Sequence, residues 1–351
     1  VAPHEALDRH HLTSRDHRQQ CDAAIDRPIR RPARRVALDQ CHRACAAVAL
    51  RAALLAWYDA NARTLRWRTA RVDPYRVWLS EVMLQQTTVP HATPYFLSFI
   101  RRWPTVSALA AEADGEVMAA WAGLGYYARA RNLLACARAG AAEHGGVFPD
   151  TEDGLRALPG GGAYTAAAVA AIAFDREANV VDGNVERVMA RLFAVEAPLP
   201  DSKPELKRLA GELVTDDRPG DWAQALMDLG AVICRPKQPL CDRWPGSGFC
   251  AAFRRGDPQT LPRRAKKADR PRRYGVAYLV TKGDQVALVR RPPKGLLGGM
   301  LGLPTDAQFT AFTPLVDAHV RPEGTTPPPA QTPVHGACAD GRGTGNGDRR
   351  P

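Results

Sequence analysis

Leu158-Pro-Gly-Gly-Gly-Ala-Tyr-Thr-Ala166, followed by Val181-Asp-Gly-Asn-Val185, decides the fold of this chain. The first stretch reads as a tight glycine hairpin that opens a helix. A helix start of this kind leaves backbone N–H groups free to hold a phosphate, with Gly160 and Gly162 nearest to it. The second stretch presents a single acid, Asp182, placed to face the sugar attached to that phosphate. Together they imply a protein that grips a nucleic-acid backbone and acts on one nucleotide.

Outward from this centre the pattern is helical. From Val48 to about residue 256, apolar residues recur at helical spacing, as at Leu50, Leu54, Leu55 and Tyr58. Helices are predicted over 75–88, 105–111, 114–122, 128–143, 151–157, 164–173, 182–194, 203–215 and 221–232. Residues 1–47 are Arg- and His-rich, including Arg30-Arg31-Pro32-Ala33-Arg34-Arg35, and are predicted to be a disordered basic extension. A Pro/Arg/Lys linker covers 257–273. Tyr274 to Val280 and Val286 to Val289 flank Lys282-Gly283-Asp284, the pattern of a β-hairpin. Residues 306–351 carry few large apolar side chains and are predicted to be disordered. The 351 residues carry a net charge of +11 and a pI near 9.5, which favours a polyanionic partner. No apolar run is long enough to span a membrane and no secretory leader opens the chain, so a reducing, cytoplasmic, nucleoid-associated setting is expected; a monomer is expected as well. In such a compartment clustered cysteines point to metal before disulfide.

Two carboxylates stand out. Glu81 lies among Trp78, Leu79, Val82, Met83 and Leu84. Desolvation there favours its neutral form, which suits a general acid. Asp182 supplies the second, which must stay ionised. Release of a base from a nucleoside passes through an oxocarbenium-like sugar, and two such acids divide that labour. Gln85 and Gln86 carry flat amides able to enter a base stack. Trp121-Ala-Gly-Leu-Gly-Tyr-Tyr-Ala-Arg-Ala-Arg-Asn132 sets aromatic and basic residues around a glycine turn, a pattern that can wedge into DNA. Cys234, Cys241 and Cys250 sit in a Pro-rich loop with spacing suited to an iron–sulfur loop, zinc being the competing reading.

These segments, in this order, resemble the MutY adenine DNA glycosylases, a branch of the helix-hairpin-helix glycosylases that includes endonuclease III. The likeness runs from about Leu50 to Pro304 and includes Trp78 to Thr87, Gly123 to Leu133, the hairpin, Val181 to Val188 and Met227 to Ala231. It implies a mainly α fold: a helix-hairpin-helix core of two helical lobes over 48–256, then a truncated α/β MutT-like (Nudix-like) fragment over 274–305. The family removes adenine mispaired with 8-oxoguanine or guanine in double-stranded DNA. By that resemblance Glu81 protonates adenine and Asp182 stabilises the sugar cation, with Tyr164 and Asn184 lining the site. Gln86 and Tyr126 match residues that wedge into the duplex. Trp67, Arg68 and Arg129 match pocket or lesion-strand contacts. Tyr164 stands where lyase relatives carry lysine, which implies hydrolysis without a strong lyase step.

Four departures accompany the likeness. The family's [4Fe–4S] loop is Cys-x6-Cys-x2-Cys-x5-Cys, and its third cysteine falls on Trp244, whose indole is no ligand. Gly161 replaces an apolar residue, which should loosen the hairpin by roughly a kcal/mol. Arg66 replaces a proline before Trp67-Arg68. The Phe-Ser/Thr-His motif that reads 8-oxoguanine is not visible, so discrimination should suffer. A DNA-binding relic without chemistry and an endonuclease III-like glycosylase/lyase are the competing readings.

Overall fold

The computed structural model describes residues 31–266, 276–292 and 298–305, with side chains from residue 45 onward. The chain divides into two units, residues 1–266 and 267–351. Helix α1 runs Arg31–Asn61. The extension predicted to be disordered as far as residue 47 is therefore helical from Arg31. From Ala33 to Asn61 there is no glycine or proline, and Ala, Leu and Arg are strong helix formers, so nothing stops the helix early. The predicted disordered tail, 306–351, lies outside the described residues.

Helix α2 (Pro74–Leu84) starts where Asp73 accepts a hydrogen bond from the Tyr75 N–H at 2.9 Å, with Pro74 preset at the first turn. It ends four residues before the predicted Thr88, because Gln86 takes a left-handed φ of +58°. Then follow α3 (Val89–Arg102), α4 (Val106–Ala110), α5 (Asp114–Ala120), α6 (Ala128–His144), α7 (Glu152–Ala157) and α8 (Ala163–Phe174). Beyond them come α9 (Gly183–Leu192), α10 (Lys203–Gly211), α11 (Pro219–Asp228) and α12 (Ala251–Arg255).

Two hydrophobic cores divide the first unit. One holds Trp78, Met83, Phe96, Phe99, Trp121 and Leu133, with the buried alanines of α8. The other holds Leu54 and Trp57 of α1 with Met189, Leu206, Trp222 and Leu229. Helix α1 thus lies in the second lobe, α2–α8 build the first, and the later helices return to the second. Helix α8 packs on α2 and α11, and α11 packs on α1, which joins the lobes.

The hairpin 158–162 links α7 to α8. Gly160 has φ +74°, and a Cβ there would lie 2.8 Å from Asn132 Cβ, so glycine is required on both counts. The loosening expected at Gly161 is not what the fold shows. The turn closes onto this residue, and a Cβ would overlap the Leu155 carbonyl oxygen.

In the second unit, strands β1 (Thr281–Lys282) and β2 (Gln285–Val286) pair antiparallel across Gly283-Asp284, with Gly283 at φ +58°. Strands β3 (Val289–Arg290) and β4 (Leu301–Gly302) form a second ladder. A hairpin thus turns at the predicted Lys282-Gly283-Asp284, with its ladder at 281–282 and 285–286; Tyr274 and Gly275 of the predicted first strand lie outside the described residues. No helix among the described residues is long and apolar enough to cross a membrane.

Candidate active site between the helical lobes

Glu81 faces inward from α2 and is 6% exposed. Its Oε2 accepts a hydrogen bond from the Tyr164 hydroxyl at 2.7 Å. Burial raises the Glu81 carboxyl to about 7. The Tyr164 bond pulls it back, the Asp182 charge pushes it up, and the Arg68 charge lowers it. The same burial, with the charges of Glu81 and Asp182, lifts the Tyr164 phenol well above its ordinary value, so Tyr164 stays a donor.

Asp182 comes from the other lobe and caps α9. Its Oδ1 accepts from the Asn184 and Val185 N–H groups at 2.9 and 2.7 Å, and its Oδ2 accepts from Asn184 Nδ2 at 2.7 Å. Three donors at the helix N-terminus thus fix the orientation of the Asp182 carboxyl group. Arg187 Nη2 donates to Asn184 Oδ1 at 2.9 Å and fixes that amide. Gly230 lets α9 approach, since a Cβ there would sit 2.6 Å from Asn184 Cβ. The four residues predicted to do chemistry therefore meet at one junction.

Beside Glu81 opens a cavity of about 210 Å³ lined by Tyr58, Trp67, Arg68, Ser80, Gln224 and Met227, among others. Trp67 is a buried wall, packed edge-on against Phe96 at 5.5 Å. Arg68 does not point free into the cavity. Its two terminal nitrogens donate to Asp228 at 2.7 and 3.0 Å, and Arg63 Nε donates to the same carboxylate at 2.6 Å. Asp228 is fully buried. Burial alone would raise its carboxyl, but the hydrogen bonds and charges of Arg68 and Arg63 outweigh this and hold it low. Asp228, Met227, Gln224 and Tyr58 are site residues that the sequence reading missed. Asp228 lies in the Met227-Ala231 segment of the family likeness, and nothing local in the sequence marks Arg63 and Arg68 as its partners.

Two predicted wedge residues share an unusual backbone. Gln86 and Tyr126 both have left-handed φ, +58° and +49°, and both are exposed. Such conformations cost about 1–3 kcal/mol and persist only where neighbours impose them. Arg129 imposes both. It is buried, contrary to the expectation of a DNA contact. Its guanidinium donates to the carbonyls of Val82 (3.1 Å), Met83 (2.9 Å) and Gln85 on one side and Leu124 (2.9 Å) and Gly125 (3.3 Å) on the other. It stacks between Trp121 and Tyr126 at 5.2 and 5.6 Å. The physical reason is the helix end: α2 stops at Leu84, and its last carbonyls need donors. Gln85 likewise turns inward, donating to Thr165 Oγ1 at 3.1 Å, which ties α2 to the first turn of α8 beside Gly160 and Gly162.

Cys234, Cys241 and Cys250 line one narrow cavity of about 20 Å³ with Trp244, roughly room for one water. The described residues contain no group of three or more His, Cys, Asp or Glu side chains placed to hold a metal. The Cys250 thiol donates to the Arg191 carbonyl at 3.3 Å, and Cys234 Sγ accepts from Arg191 Nη1 at 3.3 Å. Trp244, at the third ligand position, is buried against them. An indole offers only an N–H donor. The residues present therefore do not fit a four-thiolate cluster.

Comparison with known proteins agrees with this architecture. Residues 79–216 match the family model described as HhH-GPD superfamily base excision DNA repair protein. The human adenine DNA glycosylase is 39% identical over 314 aligned residues, spanning 73% of this chain and 57% of that protein. The adenine DNA glycosylase of Mycolicibacterium smegmatis is 42% identical over 205 residues, spanning 56% of this chain and 70% of that protein. Among solved structures, a thermostable thymine-DNA glycosylase superposes with a TM-score of 0.54 at 28% identity, covering 60% of this chain and 97% of that one. An endonuclease III trapped on DNA shares the fold, with a TM-score of 0.50 at 23% identity. The chain spans little more than half the length of the human relative. On the strength of the bacterial match and the helix-hairpin-helix core, the chain belongs to the adenine DNA glycosylase family.

Proposed function

We propose that this chain removes adenine from duplex DNA, opposite 8-oxoguanine or guanine, by hydrolysis of the N-glycosidic bond. The observation that carries the reading is a buried glutamate, shifted to about 7, hydrogen-bonded to Tyr164, lining a cavity and near enough to the capped Asp182 to feel its charge. In the reaction Glu81 gives its proton to the adenine ring as the C1′–N bond breaks and the electron pair leaves on the base. Asp182, oriented by its three donors, sits against the positive charge that develops on the sugar. Water then adds to C1′ and returns a proton to Glu81. Trp67 and the anchored Arg68 shape the base cavity. Gln86 and Tyr126 enter the gap left by the extruded nucleotide, and the first N–H groups of α8 hold its backbone phosphate.

The absence of an amine at 164 favours hydrolysis over a lyase step. Tyr164 is a phenol kept protonated, unable to form a Schiff base. We further assign the β-ladders within 276–305 to the start of a MutT-like domain. Single-turnover assays on duplexes carrying A:8-oxoguanine, A:G and A:T test the proposed activity. Adenine release from the first two without strand scission supports it. Release from none, or a borohydride-trapped DNA adduct, overturns it.

A further inference from the structure

We propose that the loop from Cys234 to Cys250 is a metal-free structural element, held closed by Trp244 and Arg191 where relatives of this fold would be expected to hold a cluster. The inference does not depend on the proposed activity.

Three observations carry it. Trp244 occupies the third position of the cysteine pattern and inserts its ring into the loop rather than leaving it in solvent: it is 7% exposed and belongs to the second lobe's core with Leu229, Ile233 and Cys250. Gly246 is fitted to that ring. A Cβ at 246 would lie 2.5 and 2.6 Å from the indole Cζ2 and Cε2, so only glycine lets the chain pass over the ring face. Tryptophan and glycine thus form a matched pair two residues apart, a packed arrangement and not a vacated ligand position.

Arg191 supplies the cross-links. It is 1% exposed and reaches from α9 into the loop. Its guanidinium donates to the Leu261 carbonyl at 2.9 Å, the Arg235 carbonyl at 2.8 Å, the Pro236 carbonyl at 3.2 Å and Cys234 Sγ at 3.3 Å. Arg187 adds a bond to the Cys234 carbonyl at 2.7 Å. The bonds to the Cys234, Arg235 and Pro236 carbonyls tie loop backbone to a helix, which is the mechanical task of a metal in a small loop. The cavity among the three thiols holds about 20 Å³, too little for an iron–sulfur cube without expelling the indole. Zinc fits no better: structural zinc takes four ligands in a closed tetrahedron, the described residues bring no three His, Cys, Asp or Glu side chains together to hold a metal, and the ring at the third position has no acceptor. The cost is visible in the same place: the indole N–H is buried without an acceptor. Burial of the ring offsets it.

The test uses the full chain, purified without oxygen from cells grown with ample iron and zinc. Metal and acid-labile sulfide analysis should find far less than one equivalent of iron, sulfide or zinc per chain. Stoichiometric iron with sulfide, or stoichiometric zinc, overturns the proposal. Thermal unfolding gives a second readout. EDTA should leave Tm unchanged, and Cys241→Ser, at a partly exposed thiol, should shift it by only about a degree or two. Trp244→Ala should lower Tm by on the order of 10 °C. A Cys241→Ser variant that melts lower than Trp244→Ala, or a chelator-sensitive Tm, contradicts the packing account. If Trp244→Ala fails to accumulate, metal content and the Cys241→Ser melt still decide.

Discussion

Asp182 of the candidate active site and Arg191 of the Cys234–Cys250 loop stand at opposite ends of one helix, α9, in surroundings built by opposite rules. At the N-terminus of α9, Asp182 is held by three donors and Asn184 by Arg187, so each polar group has a partner of matching chemistry. Near its C-terminus, Arg191 and Trp244 replace coordination with packing and carbonyl contacts. Cohesion can be supplied by any group that fills space and satisfies the backbone. Proton donation to a leaving base needs a carboxyl of raised pKa at one place. One region should therefore tolerate replacement of its chemistry, and the other should not.

The sharpest way to break that contrast is Glu81→Gln. The amide fills the same space but carries no proton to give, so single-turnover adenine release should fall roughly a thousandfold or more. A loss under tenfold would place Glu81 with the packing residues. The same variant has a stability signature. Folding raises the Glu81 carboxyl from 4.5 to about 7, so the folded state holds the proton more tightly. The resulting penalty is absent below about pH 4.5, grows between the two values and is complete above pH 7, where it reaches about 3 kcal/mol. Glu81→Gln should accordingly raise Tm at pH 8 and change it little at pH 4.5.

Next in size are the buried ionic anchors. Asp228→Ala strands the guanidiniums of Arg63 and Arg68, and Arg129→Ala strands the carbonyls at the end of α2. Each should cost about 3–5 kcal/mol in denaturant unfolding. Arg129→Ala should also release Gln86 and Tyr126 from their left-handed backbone and weaken duplex binding. Unchanged affinity would argue that the wedge is positioned some other way. Gly160→Ala should cost about 1–2 kcal/mol, through the positive φ and the contact with Asn132. Smallest of all, Arg208→Ala removes an exposed pair with Glu205 and Glu212 and should leave Tm within about a degree.

Much of the site was legible because its residues carry unusual chemistry in short, ordered segments. A glutamate in an apolar run and an aspartate before Gly-Asn announce themselves. The helices near 106–110, 114–120 and 163–174 followed from apolar spacing. What was not legible depends on who meets whom across the chain. Arg129 reads as a phosphate contact in a basic, aromatic loop, yet the unfinished end of α2, more than forty residues away, claims it first. Asp228 falls in the predicted 221–232 helix with nothing local to mark it, and its two arginine partners are some 160 positions distant. Helix α1 was cut short on charge composition, although an Ala- and Arg-rich run without glycine or proline favours helix regardless of charge. Gly161 was judged by what it lacks, while the turn had closed around it.

The pH dependence of single-turnover adenine release from an A:8-oxoguanine duplex, measured from roughly pH 5.5 to 9, tests the central claim most directly. With a general acid whose carboxyl titrates near 7, the rate should hold on the acid side and fall about tenfold per unit above pH 7. A rate that runs flat or rises through that range would contradict proton donation by Glu81.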